Sequence, residues 1–112
     1  MQVHVLKSKI HGAIVTHAHL DYIGSLGIDT EWLEKSGIAP YEKIQVLNLN
    51  NGERLETYAI QAPRGSKEIR LNGASARKGL RGDKLIIMAY GIISAEKINQ
   101  HQPKVLLLND KK

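Results

Sequence analysis

The sequence predicts a mainly β fold, a small barrel or sandwich of six to seven short strands with short helices. Two observations carry this. Short apolar or alternating segments recur with turn signals about every eight to twelve residues. Glycine and proline are spread along the chain as punctuation, with no low-complexity tract, long linker or internal repeat, so residues 1–112 form one domain.

Each element follows from its residues. Val3 and Val5 alternate with polar neighbours and begin a strand, and Lys9 to His17 continues extended on Ile10 and Val15. Asp29-Thr30 precedes a helix of two turns at most, with Thr30 as cap, Glu31 in the first turn and Gly37 as its end. Lys43 to Leu49 is a strand. Asn50-Asn51-Gly52 signals a hairpin with a type I′ turn, because Asn-Gly tolerates positive φ. Arg54 to Ala62 returns, Pro63 to Ser66 turns, and Glu68 to Asn72 is a short strand. Gly73 to Gly82 is rich in small residues and has room for one helical turn. Lys84 to Tyr90 is a buried strand, Ser94 to Gln102 suits a helix capped by Ser94, and Lys104 to Leu108 closes the chain as a strand.

Composition narrows the function. There is no cysteine, which excludes disulfides, thiolate zinc sites and cysteine nucleophiles. With no Phe and one Trp, the core must be aliphatic. Sixteen Lys and Arg against eleven Asp and Glu give +5, which favours anionic partners but is also an ordinary solubility charge. The longest nearly unbroken apolar run, Leu85 to Ile93, falls short of the ~20 residues of a membrane span. The N-terminus alternates like a strand and has no signal-peptide core, so a soluble cytoplasmic protein is expected. No dinucleotide fingerprint, P-loop or HExxH is present.

The sharpest feature is Tyr22-Ile23-Gly24-Ser25. A lone Gly-Ser is a turn signal. Here it stands with Ser8-Lys9-Ile10-His11, Asn50-Asn51-Gly52-Glu53-Arg54, Thr57-Tyr58 and Asn72-Gly73-Ala74-Ser75-Ala76-Arg77. In order and spacing this set resembles the bacterial aspartate 1-decarboxylases, pyruvoyl enzymes that make β-alanine for pantothenate, from about residue 8 to about residue 90.

The resemblance implies a double-psi β-barrel and a homotetramer with active sites at subunit interfaces. It implies a precursor that cuts itself between Gly24 and Ser25 into residues 1–24 (β chain) and 25–112 (α chain), alone or with a maturation factor. Ser25 Oγ would attack the Gly24 carbonyl, helped by the conformational freedom of glycine. Thr57 would donate to the oxyanion. Ser25 would end as a pyruvoyl group, the only cofactor. That ketone would condense with the amine of L-aspartate and accept electrons as carbon dioxide leaves. Tyr58 would then protonate Cα. Arg54 and Lys9, with His11 beside it, would meet the two substrate carboxylates, and Asn72, Gly73, Ala74 and Ser75 would supply further hydrogen bonds. No metal, nucleic acid or membrane is implied.

Strand parity complicates this set. Lys9 and His11 share one face, and so do Arg54 and Tyr58, ~13 Å apart along a strand. Thr57 has the opposite parity, awkward for a single site. Three residues depart from the family pattern. Leu55 stands where phenylalanine is common and keeps an apolar residue, a packing change. Glu56 adds a negative charge on the parity of Arg54 and Tyr58, and its expected place is solvent. Ser75 stands where alanine is frequent and offers an extra hydrogen bond.

Other features have simpler explanations. His17 and His19 suit surface strand positions better than a metal site, which needs three or four ligands. Trp32 is expected in the core or an interface, and Tyr22 either supports the cleavage loop or merely packs. Arg77, Lys78, Arg81 and Lys84 make a basic stretch without interleaved aromatics. It sustains only an alternative reading, a small basic β-barrel that binds nucleic acid.

Overall fold

In the computed structural model, which describes residues 1–108, β1 (Gln2–Ile14), β2 (His17–His19) and β3 (Ser25–Asp29) lead into helix α1 (Thr30–Ser36). β4 (Lys43–Asn48), β5 (Arg54–Ala62) and β6 (Ile69–Asn72) follow, then a 3₁₀ helix at Gly73–Lys78, β7 (Lys84–Ser94), a second 3₁₀ helix at Ala95–Gln100, and β8 (Lys104–Leu107). The strand order is β2-β6-β3-β5-β4-β7-β1-β8.

The chain itself joins the distant parts of this order. Between β1 and β2, Val15 N–H donates to Asp83 O beside β7, and Thr16 N–H donates to Ile69 O on β6. The sheet is thereby rolled into a small barrel. The mainly β class with short helices is as expected, with eight strands rather than six or seven.

The extra strands have physical reasons. The expected extension from Lys9 to His17 is interrupted at residues 15 and 16, and His17–His19 resumes as β2, parallel to β6. β3 is buried at all five of its positions, so it shows no polar–apolar alternation. Its first residue also belongs to the Gly-Ser pair that signals a turn.

The core is aliphatic, as composition requires. Leu85, Ile87 and Ala89 of β7 face inward with Ile10, Ile44, Val46, Leu26, Ile28, Ile69 and Leu71, while Trp32 packs half-buried against this cluster. Of the alternate residues of β7, Ile86 is buried outside this cluster, Met88 is half-buried and Tyr90 is exposed.

Two local expectations change. Asp29, not Thr30, caps α1: its Oδ1 accepts from Glu31 N–H at 2.9 Å, while Thr30 Oγ1 donates to Ala62 O at 2.7 Å. Gly37, at φ +77°, ends the helix as expected. The hairpin between β4 and β5 forms, but not with a two-residue type I′ turn. Its loop covers residues 49–53 and only Gly52 has positive φ (+76°). Asn48 and Asn51 side chains accept from Asn50 N–H and Glu53 N–H, so two Asx turns replace the second left-handed residue. Ser94 Oγ accepts from Glu96 N–H at 3.4 Å, capping the second 3₁₀ helix as expected.

Candidate active site

The chain enters the site from an exposed loop. Leu20, Tyr22 and Ile23 are largely exposed, and Tyr22 stacks on His19 with ring centroids 4.5 Å apart. One residue after Gly24 the chain is buried. Ser25 is 4% exposed, and its Oγ is buried without a hydrogen-bond partner. Its backbone lies at φ +90°, a region unfavourable for any side chain.

This locates the strain on Ser25 rather than on glycine. A Cβ on Gly24 would meet nothing within 4 Å, and the residue does not occupy the left-handed region. The glycine that the packing demands is Gly73. At φ +62°, an added Cβ would lie 3.0 Å from Gly24 Cα and 3.1 Å from Tyr22 O. Gly73 therefore lets the turn after β6 close against the Gly24 backbone.

β6 supplies the facing wall. Asn72 pairs with Ser25 across the antiparallel β3–β6 ladder, and Asn72 Oδ1 is the second buried atom without a partner. Ser75, in the first turn of the 3₁₀ helix, places its Oγ 2.6 Å from Asn72 O and 3.3 Å from Ser25 O. The extra hydroxyl does add hydrogen bonding, and it braces the two strands at this point.

β5 completes the cavity, and its pairing resolves the parity of Thr57. β3 pairs with Ala59–Ala62 of β5, while residues 54–58 of β5 pair with β4 on the other side. The edge of β5 facing β3 is therefore unpaired where Thr57 and Tyr58 lie. A cavity of about 350 Å³ opens there, lined by Gly24, Ser25, Thr57, Tyr58, Asn72 and Ala74 among others. At an open edge residues of both parities reach the same space. Thr57, half-buried, and Tyr58, 39% exposed, both line it.

Lys9, His11 and Arg54 are not in that cavity. The ladders place His11 opposite Ile86, Ile86 opposite Leu47, and Leu47 opposite Arg54. Directly paired residues share a face. This row therefore runs across the outer face of β1, β7, β4 and β5, spanning ~14 Å at ~4.8 Å per strand. Lys9 heads the neighbouring row through Met88, Gln45 and Glu56. Within one chain the sequence-derived residues thus fall into two groups: those at the open cavity beside Ser25, and Lys9, His11 and Arg54 on the outer face.

Glu56 is exposed as expected, and its carboxylate lies 3.5 Å from Lys43 Nζ; it also borders the Ser25 cavity. Lys78 lines the cavity too and was not foreseen. It stands three residues beyond Ser75, the spacing that aligns side chains on a 3₁₀ helix. Its Nζ contacts Glu53 Oε1 at 2.9 Å, and its carbonyl accepts from Asn48 and Asn51 side chains.

Two carboxylates near these elements are perturbed. Burial pushes the Asp29 carboxyl up, but N–H bonds from Gly65, Lys67 and Glu31 and the charge of Arg64 outweigh it and hold it below its ordinary value. Asp83 is lowered by its bonds from the Asn48 side chain and Leu80 N–H, against burial.

Sequence comparison decides the family. The family model described as aspartate decarboxylase matches residues 1–112. The chain belongs to the aspartate decarboxylase family. It is 54% identical to the aspartate 1-decarboxylase of Desulfotalea psychrophila over 94% of this chain and 88% of that one. It is 54% identical to that of Caldicellulosiruptor saccharolyticus over 98% of this chain and 86% of the relative. With that of Phenylobacterium zucineum it shares 51% identity over 98% and 93%. Family membership does not favour the nucleic-acid alternative. No helix among the described residues is long and apolar enough to cross a membrane.

Proposed function

We propose that this chain is the precursor of a pyruvoyl-dependent enzyme that converts L-aspartate to β-alanine and carbon dioxide, for pantothenate synthesis in the cytoplasm. One observation carries the pyruvoyl reading. Ser25 Oγ is buried, unpartnered and attached to a backbone in the left-handed region. A hydroxyl free of hydrogen bonds is available as a nucleophile, and a strained peptide lies closer to reaction than a relaxed one.

Maturation would run as follows. Ser25 Oγ attacks the Gly24 carbonyl carbon, the Gly24–Ser25 C–N bond breaks, and the Gly24 acyl group moves from nitrogen to oxygen as an ester. Thr57 Oγ1, lining the same cavity, donates to the oxyanion. Loss of the Ser25 α-proton expels the Gly24 carboxylate. One water then replaces the α-nitrogen, released as ammonia. The products are residues 1–24 and a pyruvoyl-headed chain 25–112.

The cavity suits that group: it is lined by Gly24, Ala74 and Ser75, and Asn72 Oδ1 has no other partner. The ketone supplies the electrophile that takes the substrate amine and the electrons released with carbon dioxide. The chain's own groups do the rest. Tyr58, lining the cavity, delivers a proton to substrate Cα. Asn72 and the backbone N–H groups of Gly73, Ala74 and Ser75 orient the substrate. Glu56 at the rim makes added cations necessary for a dianion. Arg54, Lys9 and His11 are suited to provide them, yet they lie on the outer face. The site is therefore completed by the outer face of a second copy, within a homotetramer.

Intact mass of the purified protein tests this reading. Two fragments split between Gly24 and Ser25 are expected, with the larger reacting with hydroxylamine and losing activity. An active protein that stays whole, even alongside any maturation factor, would overturn it. So would indifference to carbonyl reagents.

A further inference from the structure

Tyr41 stands outside every group described so far, and its backbone is strained. It lies at φ +71°, where Cβ crowds the carbonyl and glycine or asparagine fits better. Its neighbours hold it there. Tyr41 N–H donates to Ala59 O at 2.7 Å, and Ala59 N–H donates to Glu42 O at 3.0 Å. Glu42 is anchored in turn by Lys7 Nζ and by Ala39 N–H.

Core burial does not explain a tyrosine here, because Tyr41 is 77% exposed. Its ring meets Tyr58. The centroids are 6.4 Å apart and the planes are tilted by 33°, within the range of attractive aromatic pairs. With Lys43, Glu56 and Thr57, the two rings line an outer cavity of about 600 Å³. Glu56, Thr57 and Tyr58 also line the Ser25 cavity. Tyr58 therefore stands between the two cavities, with Tyr41 bordering only the outer one.

We infer that Tyr41 is a positioning residue whose ring holds the Tyr58 phenol toward the Ser25 cavity. This rests on the reading of Tyr58 as the proton donor. A half-exposed tyrosine without such a contact samples several rotamers, and each excursion removes the donor from substrate Cα. The strained backbone at residue 41 fixes the direction from which the restraining ring comes.

Three variants and one spectroscopic readout test it. Tyr41→Asn suits the left-handed backbone and removes the ring. Tyr41→Phe keeps the ring. Tyr58→Phe tests the underlying reading. Tyrosine ring ¹³C relaxation in a Ser25→Ala background reports the motion of Tyr58 without turnover. Tyr41→Asn should melt no lower than the parent, lose about tenfold in kcat with KM little changed, and show a more mobile Tyr58 ring. Tyr41→Phe should restore both kcat and ring order. Tyr41→Gly, equally at home at this φ, repeats the measurement if the asparagine variant fails to fold. Parental kcat in Tyr41→Asn, or an unchanged Tyr58 ring, overturns this inference while an impaired Tyr58→Phe leaves the donor reading standing. Normal turnover of Tyr58→Phe overturns both.

Discussion

Ser25 and Asp29 stand at the two ends of one five-residue strand, both buried, and their polar atoms have opposite surroundings. Asp29 is 1% exposed, and its two oxygens accept from Glu31, Gly65 and Lys67 N–H groups at 2.8 to 2.9 Å. Ser25 Oγ has no partner at all. A buried polar group without a hydrogen bond costs about 1–3 kcal/mol, and one with several charge-assisted bonds is a net gain. The far end of β3 is thus built for stability, while the near end keeps the strained, unpartnered hydroxyl that the proposed cleavage requires. The first anchors the second: Asp29 ties β3 to helix α1 and to the turn before β6, the two elements that fix the direction in which β3 leaves the site.

The largest effect expected on this contrast is that of Ser25→Ala. Removing an unpartnered hydroxyl takes nothing from the hydrogen bonding of the fold. The urea midpoint should be no lower than the parent's, while cleavage and β-alanine formation both disappear. Mass spectrometry and a β-alanine assay measure this. Retained decarboxylation in this variant would sink the role of Ser25.

Asp29→Ala should do the reverse. It leaves three backbone N–H groups unpaired and removes the α1 cap, for a loss of about 3 kcal/mol in urea unfolding. Any of the variant that folds should still cleave between Gly24 and Ser25. A loss below about 1 kcal/mol would show that water replaces the carboxylate and that the anchor is weak.

The pH dependence of stability separates the two ends further. A carboxyl held below its ordinary value binds its proton more weakly when folded than when unfolded. The stabilisation is complete above the unfolded value of ~3.9 and is lost as pH falls through the folded value. The stability gap between the parent and Asp29→Asn should therefore stay level from pH 7 to about pH 4 and narrow below it, toward about pH 2. Ser25→Ala should lose stability in acid in parallel with the parent. A gap between parent and Asp29→Asn that is constant across that range would remove Asp29 from the acid transition.

Several of these features are legible in the sequence and others are not, for physical reasons. β1, β4 and β5 announce themselves because one face is buried and the other is not, and β7 does so as a nearly unbroken apolar run. The helix stop at Gly37 and the loop at Gly52 follow from backbone chemistry. β3 is hidden because burial on both sides erases alternation. Asp29 rather than Thr30 caps α1 because the cap also serves Gly65 and Lys67, 36 and 38 residues away, which no local motif records. The site was legible as a set of residues but not as a place. Parity sets Thr57 against Tyr58, and only the point where β3 stops pairing with β5 shows that both line one cavity. Likewise, His11 and Arg54 sit at opposite ends of a four-strand row, with Lys9 heading the next one, which a count along either strand cannot reveal.

The smallest effect is expected at Ser75, and it tests how far the reactive end of β3 is braced. Its single hydroxyl proton lies between Asn72 O at 2.6 Å and Ser25 O at 3.3 Å, so the bond goes mainly to Asn72. Ser75→Ala should cost about 1 kcal/mol in urea unfolding. Cleavage should proceed at close to the parental rate, because the reacting peptide bond joins Gly24 to Ser25 nitrogen and the braced carbonyl lies on the other side of the Ser25 α-carbon. The fraction cleaved over time, read by mass, measures this. If Ser75→Ala cleaves far more slowly while losing little stability, then the bond to Ser25 O is what holds this residue at φ +90°. The near end of β3 would then be held by its side chains as firmly as the Asp29 end, with that hold directed at strain instead of stability.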